Sequence, residues 1–180
     1  MRDIPLKDIT GSWKSLADYS GKVLLVVNVA SKCGLTPQYK ALEQLYRDRK
    51  GRGLEILGFP ANDFAGQEPG TDAEIASFCQ TGFDVSFPMF SKIAVTGDAT
   101  HPLYRELIAS APPVQGDPEA FRARLAGHGI KTNPAPGVLW NFEKFLLGRD
   151  GRIAARFAPS TAPDDPALLK AIDAELAKAA

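Results

Sequence analysis

The chain has 180 residues, of which 44% are hydrophobic and 23% are charged, and these values are typical of a globular protein with a substantial core. Its 21 lysines and arginines balance 21 aspartates and glutamates, so the net charge of zero argues against nucleic acid or an anionic membrane as the main partner. Two cysteines are too few for a disulfide framework, and together with two histidines they make a poor set of metal ligands.

The N-terminal residues and the apolar runs bear on where the protein works. The sequence MRDIPLKDIT carries charges and a proline where a signal peptide needs an apolar core. The unbroken apolar runs are far too short to span a membrane. We therefore expect one domain over residues 1–180, located in the reducing cytoplasm and without stable membrane association.

The first elements of the chain lead to a cysteine between a strand and a helix. Residues 4–20 are typical of a small hairpin, and the apolar run Val23–Val27 predicts a strand buried on both faces. Thr36 followed by Pro37 predicts the N-cap and the first residue of a helix. Cys33 lies three residues before that predicted cap, where backbone N–H groups and the helix dipole favour a thiolate. The thiolate is the nucleophilic form of cysteine.

A second strand and a second helix come next in the chain. Leu54–Phe59 predicts another core strand, and the polar segment Ala61–Gly70 predicts a loop after it. Thr71 and Glu74 have the spacing of a capping box, which predicts that a helix begins there. Cys79 falls on the apolar face of this helix, and a cysteine in that position is by itself more typical of a buried core thiol.

The second half of the chain alternates regular and irregular segments. Pro102–Ser110 predicts a helix that begins with proline. The segment 112–137 is rich in proline and glycine, so we expect a surface excursion with a short helix over 118–125. Two further segments, Glu143–Leu147 and Arg152–Phe157, flank a glycine-rich turn and predict a β-hairpin.

The hairpin and the last helix complete the predicted fold. Ile153, Ala155 and Phe157 alternate along the second hairpin strand and are predicted to share one face, and Asp165 with Pro166 predicts the start of a terminal helix. The order of elements predicts an α/β protein with a mixed central sheet flanked by helices and an N-terminal hairpin extension. With a cysteine after the first core strand, this is the thioredoxin-like arrangement.

Loops that leave the strand ends on one side of an open sheet collect functional residues. The sequence places Cys33 and three neutral donors, Gln67, Trp140 and Asn141, in such loops. Hydrogen bonds to a charged acceptor are worth about 1.5–3 kcal/mol each, so two or three donors suffice to stabilise a thiolate without a cation. Each residue also has a plainer interpretation: an inert thiol, a packing aromatic side chain, and two amides that stabilise loops.

Three long segments resemble signature sequences of the glutathione peroxidase family, with cysteine in the place of selenocysteine. They are NVASKCGLTPQY at 28–39, GFPANDFAGQEPG at 58–70 and WNFEKFLLGRDG at 140–151, and RFAPST at 156–161 matches the family sequence after the third segment. Their order and spacing extend over nearly the whole chain. The resemblance implies a thioredoxin-like fold and a catalytic tetrad, which falls on Cys33, Gln67, Trp140 and Asn141.

The chain departs from the family pattern within the second of these segments. Ala61 and Asp63 stand where members of the family often have cysteine and glutamine. Cys79 is then the only thiol besides Cys33, and it matches the resolving-cysteine position of the thioredoxin-dependent members. The segment 112–137 falls where the tetrameric members carry an insertion.

The resemblance implies a peroxidase that reduces hydrogen peroxide and organic or lipid hydroperoxides. Cys33 would become a sulfenic acid, condense with Cys79 to a disulfide, and be regenerated by thioredoxin or glutathione. No metal, haem, flavin or nicotinamide cofactor is implied, and we expect a monomer or a small homo-oligomer. In the reduced chain we expect Cys79 to be helical and too distant from Cys33 to form a bond.

Two other functions could use the same cysteine. A thioredoxin-fold disulfide oxidoreductase would act on protein disulfides, but its C-x-x-C motif would need a second cysteine where this chain has Thr36. A peroxide sensor would pass oxidation from Cys33 to a partner protein without turnover. Sustained peroxide turnover with thioredoxin as the sole reductant distinguishes the peroxidase from both.

Overall fold

The computed structural model describes residues 1–179 of the chain. These residues form seven strands, β1 to β7, which span Leu6–Lys7, Trp13–Lys14, Val23–Val29, Leu54–Pro60, Val114–Gln115, Lys144–Leu147 and Ile153–Phe157. They also form five α-helices, α1 to α5, which span Gln38–Arg49, Asp72–Phe83, Pro102–Ser110, Pro118–Gly127 and Pro166–Leu176. Most elements therefore lie where the sequence predicts them.

Five strands form one sheet in the order β4-β3-β6-β7-β5. Strand β3 pairs in parallel with β4 and antiparallel with β6, so the sheet is mixed, as predicted. All seven residues of β3 are buried. A strand buried on both faces requires apolar cover on each side, which explains its continuous run of aliphatic residues.

Side chains that alternate along β3 enter two different apolar clusters. Leu25 packs in one cluster together with Leu42 of α1 and Ile172 of α5. Leu24 points into the second cluster, which contains Leu107 of α3. Helices therefore cover both faces of the sheet, and the loops at the carboxyl ends of the parallel pair β3 and β4 lie at one common edge.

The junction between β3 and α1 differs from the prediction by one residue. Pro37 is the N-cap residue and α1 begins at Gln38, so Thr36 is not the cap. The Thr36 hydroxyl instead accepts a hydrogen bond from the backbone N–H of Cys33 at 3.0 Å and donates one to the carbonyl of Ala30 at 2.8 Å. Thr36 therefore stabilises the cysteine loop rather than the helix end.

The hairpin of β6 and β7 contains an irregularity that the alternating pattern did not predict. The register shifts between Leu146 and Leu147, because Leu146 pairs with Ala155 whereas Leu147 pairs with Ile153. A bulge of this kind changes the face to which neighbouring side chains point. Ala155 lies in the first cluster, but Ile153 packs against the second, so the prediction of one shared face was wrong for Ile153.

The two remaining segments attach at the edges of the molecule. The predicted N-terminal hairpin is confirmed by the antiparallel pairing of β1 and β2, with Gly11 in its turn at a φ of 98° that favours glycine. The segment 112–137 contains α4 and also contributes β5, which pairs in parallel with β7 as an edge strand. Among residues 1–179, no helix is both long and apolar enough to cross a membrane.

Candidate active site

Cys33 lies in the loop between β3 and α1, and its side chain is partly exposed. Its sulfur accepts a hydrogen bond from the backbone N–H of Leu35 at 3.3 Å. The carbonyl of Cys33 accepts a hydrogen bond from the N–H of Thr36 at 3.0 Å, which closes a tight turn. The loop therefore presents a free thiol with a backbone donor already directed at it.

Gln67 lies in the loop after β4 and contacts the cysteine loop through its backbone. The carbonyl of Gln67 accepts a hydrogen bond from the N–H of Lys32 at 3.0 Å. The N–H of Gln67 donates to the carbonyl of Phe64 at 3.2 Å, and the preceding Ala65 and Gly66 both have positive φ angles. The hydrogen bond to Lys32 therefore places Gln67 beside the residue that precedes Cys33.

Trp140 and Asn141 precede β6 and are both buried. The amide of Asn141 donates to the side-chain oxygen of Gln67 at 2.8 Å. The indole ring of Trp140 packs against Phe64 with ring centroids 5.2 Å apart. The backbone carbonyl of Trp140 accepts a hydrogen bond from the side-chain amide of Asn28 at 3.0 Å. The third loop is thus connected both to the Gln67 loop and to strand β3.

The residue after Asn141 has an unusual backbone conformation. Phe142 has a φ of 67°, which is rare for a bulky residue and persists only where the surroundings fix it. Its N–H donates to the carbonyl of Asn28 at 2.6 Å, and its carbonyl accepts a hydrogen bond from the amine of Lys144 at 2.6 Å. These two bonds fix the direction in which Trp140 and Asn141 leave the sheet.

The structure therefore joins two of the three predicted donors through their side chains and connects the third, Trp140, to strand β3 through its backbone. Gln67 and Asn141 are hydrogen-bonded to each other, and the backbone carbonyl of Gln67 is hydrogen-bonded to the cysteine loop at Lys32. Among residues 1–179, no side chain of Gln67, Trp140 or Asn141 makes a hydrogen bond to the Cys33 sulfur. The buried side-chain oxygen of Asn141 also has no hydrogen-bond partner within those residues.

Cys79 lies inside α2, and only 2% of its surface is exposed. Both cysteines are free thiols, so the prediction of a helical Cys79 in the reduced chain is confirmed. Cys79 is a member of the first apolar cluster, and Cys33 packs against the same cluster. Burial raises the pKa of the Cys79 thiol to about 11.

This difference in environment predicts a difference in alkylation. Because its pKa is raised, Cys79 is protonated throughout the neutral range and becomes a thiolate only as the pH approaches about 11. With iodoacetamide at pH 7 to 9, we expect Cys33 to be alkylated at least tenfold faster than Cys79. Mass spectrometry of each cysteine peptide over time measures both rates, and equal rates across this pH range would contradict the expectation.

Three polar residues near the site were not identified from the sequence. Asn28 is the polar residue in the otherwise apolar strand β3. Its position shortly before the cysteine loop is a sequence feature that indicates a functional residue. Lys144 is fully buried on β6, where burial lowers the pKa of its amine to about 7. Glu68 is 1% exposed, and burial raises the pKa of its carboxyl group. Charged residues are almost always exposed, so neither burial could be expected from the residue type.

Comparison with known proteins first defines the fold. The chain superposes on a thiol:disulfide interchange protein of the thioredoxin family from Chlorobium tepidum TLS with a TM-score of 0.60, at 15% identity, covering 97% of this chain and 94% of that one. The chain therefore has a thioredoxin-like fold. Among residues 1–179, no group of three or more His, Cys, Asp or Glu side chains could hold a metal ion.

Closer relatives define the family. The family model for glutathione peroxidase matches residues 1–108. The chain is 50% identical over 174 residues to the thioredoxin/glutathione peroxidase BtuE of Escherichia coli (strain K12), covering 96% of this chain and 95% of that protein. It is 35% identical to the crystal structure of Trgpx in apo form, with a TM-score of 0.72 and coverage of 99% and 96%. The chain belongs to the glutathione peroxidase family and is a thiol peroxidase.

Proposed function

We propose that Cys33 is the peroxidatic nucleophile of this peroxidase and that Gln67, Trp140 and Asn141 complete its active site. The observation that carries the proposal is the hydrogen bond of 2.8 Å between Asn141 and Gln67, which joins two distant segments of the chain beside the cysteine loop. The backbone bond between Lys32 and Gln67 supports the same arrangement, because it connects the residue before Cys33 to that pair.

In the proposed reaction the Cys33 thiolate attacks the distal oxygen of a hydroperoxide. The O–O bond breaks, water or an alcohol leaves, and Cys33 becomes a sulfenic acid. Hydrogen bonds at active sites without substrate are often long and become short only in the reacting complex, so the donors need not contact the sulfur beforehand. The partly exposed side chain of Gln67 accepts the bond from Asn141 through its oxygen, so its amide N–H groups are available for that adjustment.

The second half of the proposed cycle uses Cys79. Its thiol condenses with the Cys33 sulfenic acid to give a Cys33–Cys79 disulfide and water. An external dithiol, thioredoxin, then reduces the disulfide, and glutathione is the alternative reductant. The relative from Escherichia coli is named for both reductants, which supports considering the two together.

A steady-state assay tests this function. Purified protein is given hydrogen peroxide or cumene hydroperoxide, with either thioredoxin and its reductase or glutathione and its reductase as the source of electrons. We expect NADPH consumption that depends on the protein and on peroxide, and that is faster with thioredoxin. Oxidation of Cys33 without turnover by either reductant would favour a peroxide sensor instead.

Two of the three donors, Trp140 and Gln67, give a quantitative prediction. Trp140→Phe keeps an aromatic ring but removes the indole N–H, and Gln67→Ala removes the amide that Asn141 contacts. If each donor stabilises the transition state, each change should lower the rate constant for Cys33 oxidation about tenfold or more, since ~1.4 kcal/mol is a factor of ten. Quenched-flow mass spectrometry of the Cys33 peptide after one addition of peroxide measures this constant.

A matched tryptophan controls for general effects of the substitution. Trp13 is 70% exposed on the N-terminal hairpin and lies outside both apolar clusters. Trp13→Phe should therefore leave the rate constant for Cys33 oxidation unchanged. Folded Trp140→Phe and Gln67→Ala variants that also keep the original rate constant would show that these two residues are structural.

A further inference from the structure

Lys144 is a fully buried lysine that the proposed reaction does not use. It is the first residue of β6, and 0% of its surface is exposed. Burial lowers the pKa of its amine to about 7, because the charged form loses its hydration. Lysine is almost never fully buried unless it is paired, so the partners of this amine indicate what it does.

The Lys144 amine is paired with backbone carbonyls. It donates a hydrogen bond of 2.6 Å to the carbonyl of Phe142 and a longer one of 3.4 Å to the carbonyl of Pro159. The adjacent carboxylate of Glu143 forms an ion pair with Arg156 instead. The amine therefore acts on the backbone of two separate segments of the chain.

One of these segments carries two of the proposed donors. Phe142 directly follows Trp140 and Asn141, and a bulky residue keeps its φ of 67° only where the surroundings fix it. The Lys144 amine holds the carbonyl of Phe142, and the carbonyl of Asn28 holds its N–H, each at 2.6 Å. Without the amine this buried carbonyl loses its donor and the peptide group can turn. A turn there changes the directions in which the side chains of Trp140 and Asn141 point.

The other segment connects the amine to the helix that follows Cys33. The carbonyl of Pro159 also accepts a hydrogen bond from the side-chain amide of Gln38 at 2.8 Å. Gln38 is the first residue of α1, and the cysteine loop leads directly into that helix. Lys144 therefore connects the backbone beside the donors, through one shared carbonyl, to the helix beside the nucleophile.

Aromatic packing brings the same helix against Phe142. The ring of Tyr39, on α1, packs edge-on against the ring of Phe142 with centroids 5.5 Å apart and planes at 88°. Ring packing limits the separation of the two residues, whereas a hydrogen bond also depends on direction. The bond from Lys144 is thus the contact that orients the Phe142 carbonyl relative to α1.

We propose that Lys144 is a positioning residue of the peroxidatic site, which orients Trp140 and Asn141 by holding the carbonyl of Phe142. The inference rests on the proposed function, since it requires those two side chains to assist the oxidation of Cys33. Lys144 takes part in no bond that forms or breaks in that reaction. The ammonium and the neutral amine both carry N–H donors, so this role does not require one particular protonation state.

Lys144→Met tests the proposal, because methionine has a similar length and no hydrogen-bond donor. Reduced protein is mixed with one equivalent of hydrogen peroxide, and quenched-flow mass spectrometry of the Cys33 peptide gives the rate constant for its oxidation. We expect this constant to fall about tenfold or more, since a misplacement of ~1 Å by a distant mutation can cost ~10²-fold in rate.

Leu146→Met is the matched control. Leu146 lies two residues further along β6 on the same face, is fully buried and belongs to the first apolar cluster. Exchange of leucine for methionine is well tolerated in a core, so this variant should keep the original rate constant. Thermal unfolding checks the fold of both variants. If Lys144→Met is too unstable to assay, Lys144→Gln takes its place with the same expectations, because its shorter polar side chain withdraws the donor from Phe142.

The fluorescence of Trp140 separates positioning from a general loss of structure. Trp13→Phe leaves Trp140 as the only tryptophan of the chain, and only 4% of its surface is exposed. In this background we expect Lys144→Met to increase the quenching of Trp140 by acrylamide at a temperature where the protein remains folded. Leu146→Met in the same background should leave the quenching unchanged.

A mutant cycle tests whether Lys144 acts through the two donors. In a protein that carries both Trp140→Phe and Asn141→Ala, the groups that Lys144 orients are absent. Adding Lys144→Met should then lower the rate constant for Cys33 oxidation by less than about twofold, whereas the full factor would recur if the effects were independent.

The outcomes distinguish failure of the inference from failure of the proposed function. A protein with Trp140→Phe and Asn141→Ala that oxidises Cys33 at the original rate would contradict the proposed function itself. If that protein is slow, the inference alone is overturned by a folded Lys144→Met variant with the original rate constant. It is equally overturned by unchanged quenching of Trp140, or by the same loss from Lys144→Met with and without the two donors.

Discussion

Cys33→Ser is expected to reduce peroxide turnover to the uncatalysed rate, whichever reductant is supplied. The serine hydroxyl is not ionised near neutral pH and has no equivalent of the sulfenic acid, so the first covalent step has no route. The fold should persist, because the serine oxygen can accept the same hydrogen bond from the Leu35 N–H that the sulfur accepts at 3.3 Å. The assay is peroxide-dependent NADPH consumption with thioredoxin and, separately, with glutathione.

The controls for this loss are a folding measurement and the other cysteine. Thermal unfolding should give a midpoint within a few degrees of the unmodified protein, since Cys33 is partly exposed and a single small substitution at such a site changes stability little. Cys79→Ser should still consume one equivalent of peroxide. Residual turnover by a folded Cys33→Ser protein well above the uncatalysed rate would assign the nucleophile to another residue.

Local sequence signals predicted most elements because the structure satisfies them locally. The capping box of Thr71 and Glu74 is present at the start of α2, with the Glu74 carboxylate accepting a hydrogen bond from the Thr71 N–H at 2.7 Å. Asp165 accepts a hydrogen bond from the N–H of Ala167 at 2.8 Å and caps α5 as predicted. Each of these interactions lies within four residues, so the local sequence contains both partners of each bond.

The predictions that were wrong depend on contacts that the local sequence pattern does not reveal. Thr36 has a good capping sequence, but its hydroxyl is used by the backbone of Ala30 and Cys33 instead. Ile153 changes face because the register of β7 against β6 shifts at Leu147, which no alternation within one strand can reveal. In the first case a hydrogen bond within the cysteine loop replaces the helix cap, and in the second the pairing of two strands overrides the alternation within one of them.

The candidate site was predicted as a set of residues but not as an arrangement. The motifs identified Gln67 and Asn141, whereas the bond between their side chains links positions 74 residues apart and required the structure. The burial of Glu68 was further from reach. A glutamate between a glutamine and a proline in a polar loop is normally solvated, whereas here it is 1% exposed.

The second large effect is expected for Cys79→Ser. This variant should oxidise Cys33 once, fail to form the disulfide, and then stall with thioredoxin while Cys33 over-oxidises to sulfinic acid. Burial of a hydroxyl in the apolar cluster can itself destabilise the fold, so Cys79→Ala, which is apolar, is the paired variant. Both should lose thioredoxin-dependent turnover to the same extent, and intact mass spectrometry should show the added oxygens on Cys33.

In the proposed cycle, helix α2 would have to open for Cys79 to reach Cys33. A disulfide needs Cα atoms within ~4.4–6.8 Å, whereas both cysteines are free thiols here and Cys79 lies inside an intact helix. The end of α2 is closed by the Val85 N–H, which donates to the Cys79 carbonyl at 3.2 Å, and by an exposed ion pair of 2.8 Å between Arg47 and Asp84. Exposed ion pairs contribute little stability, so the cost of opening this end comes mainly from the apolar contacts of Cys79 and its neighbours in the first cluster.

A glycine in the last turn of α2 allows that opening to be adjusted. Gly82 is helical, and nothing lies within 4 Å of the position that a Cβ atom would take. Gly82→Ala should therefore stabilise the helix by about 0.8–1 kcal/mol without a clash. If helix opening precedes disulfide formation, the rate of that step should fall about fourfold, while Cys33 oxidation is unaffected.

Hydrogen exchange connects the opening of α2 to the resolving role of Cys79. We expect amides across residues 76–84 to be protected in the reduced protein, because they belong to the helix and its C-cap, and to exchange faster once the disulfide forms. The Cys79→Ser protein treated with peroxide has no disulfide to form, so its exchange in this segment should stay at the reduced level. Sustained thioredoxin-driven turnover by Cys79→Ser, or exchange that is the same in both states of the unmodified protein, would leave Cys79 as a core residue without a part in the cycle.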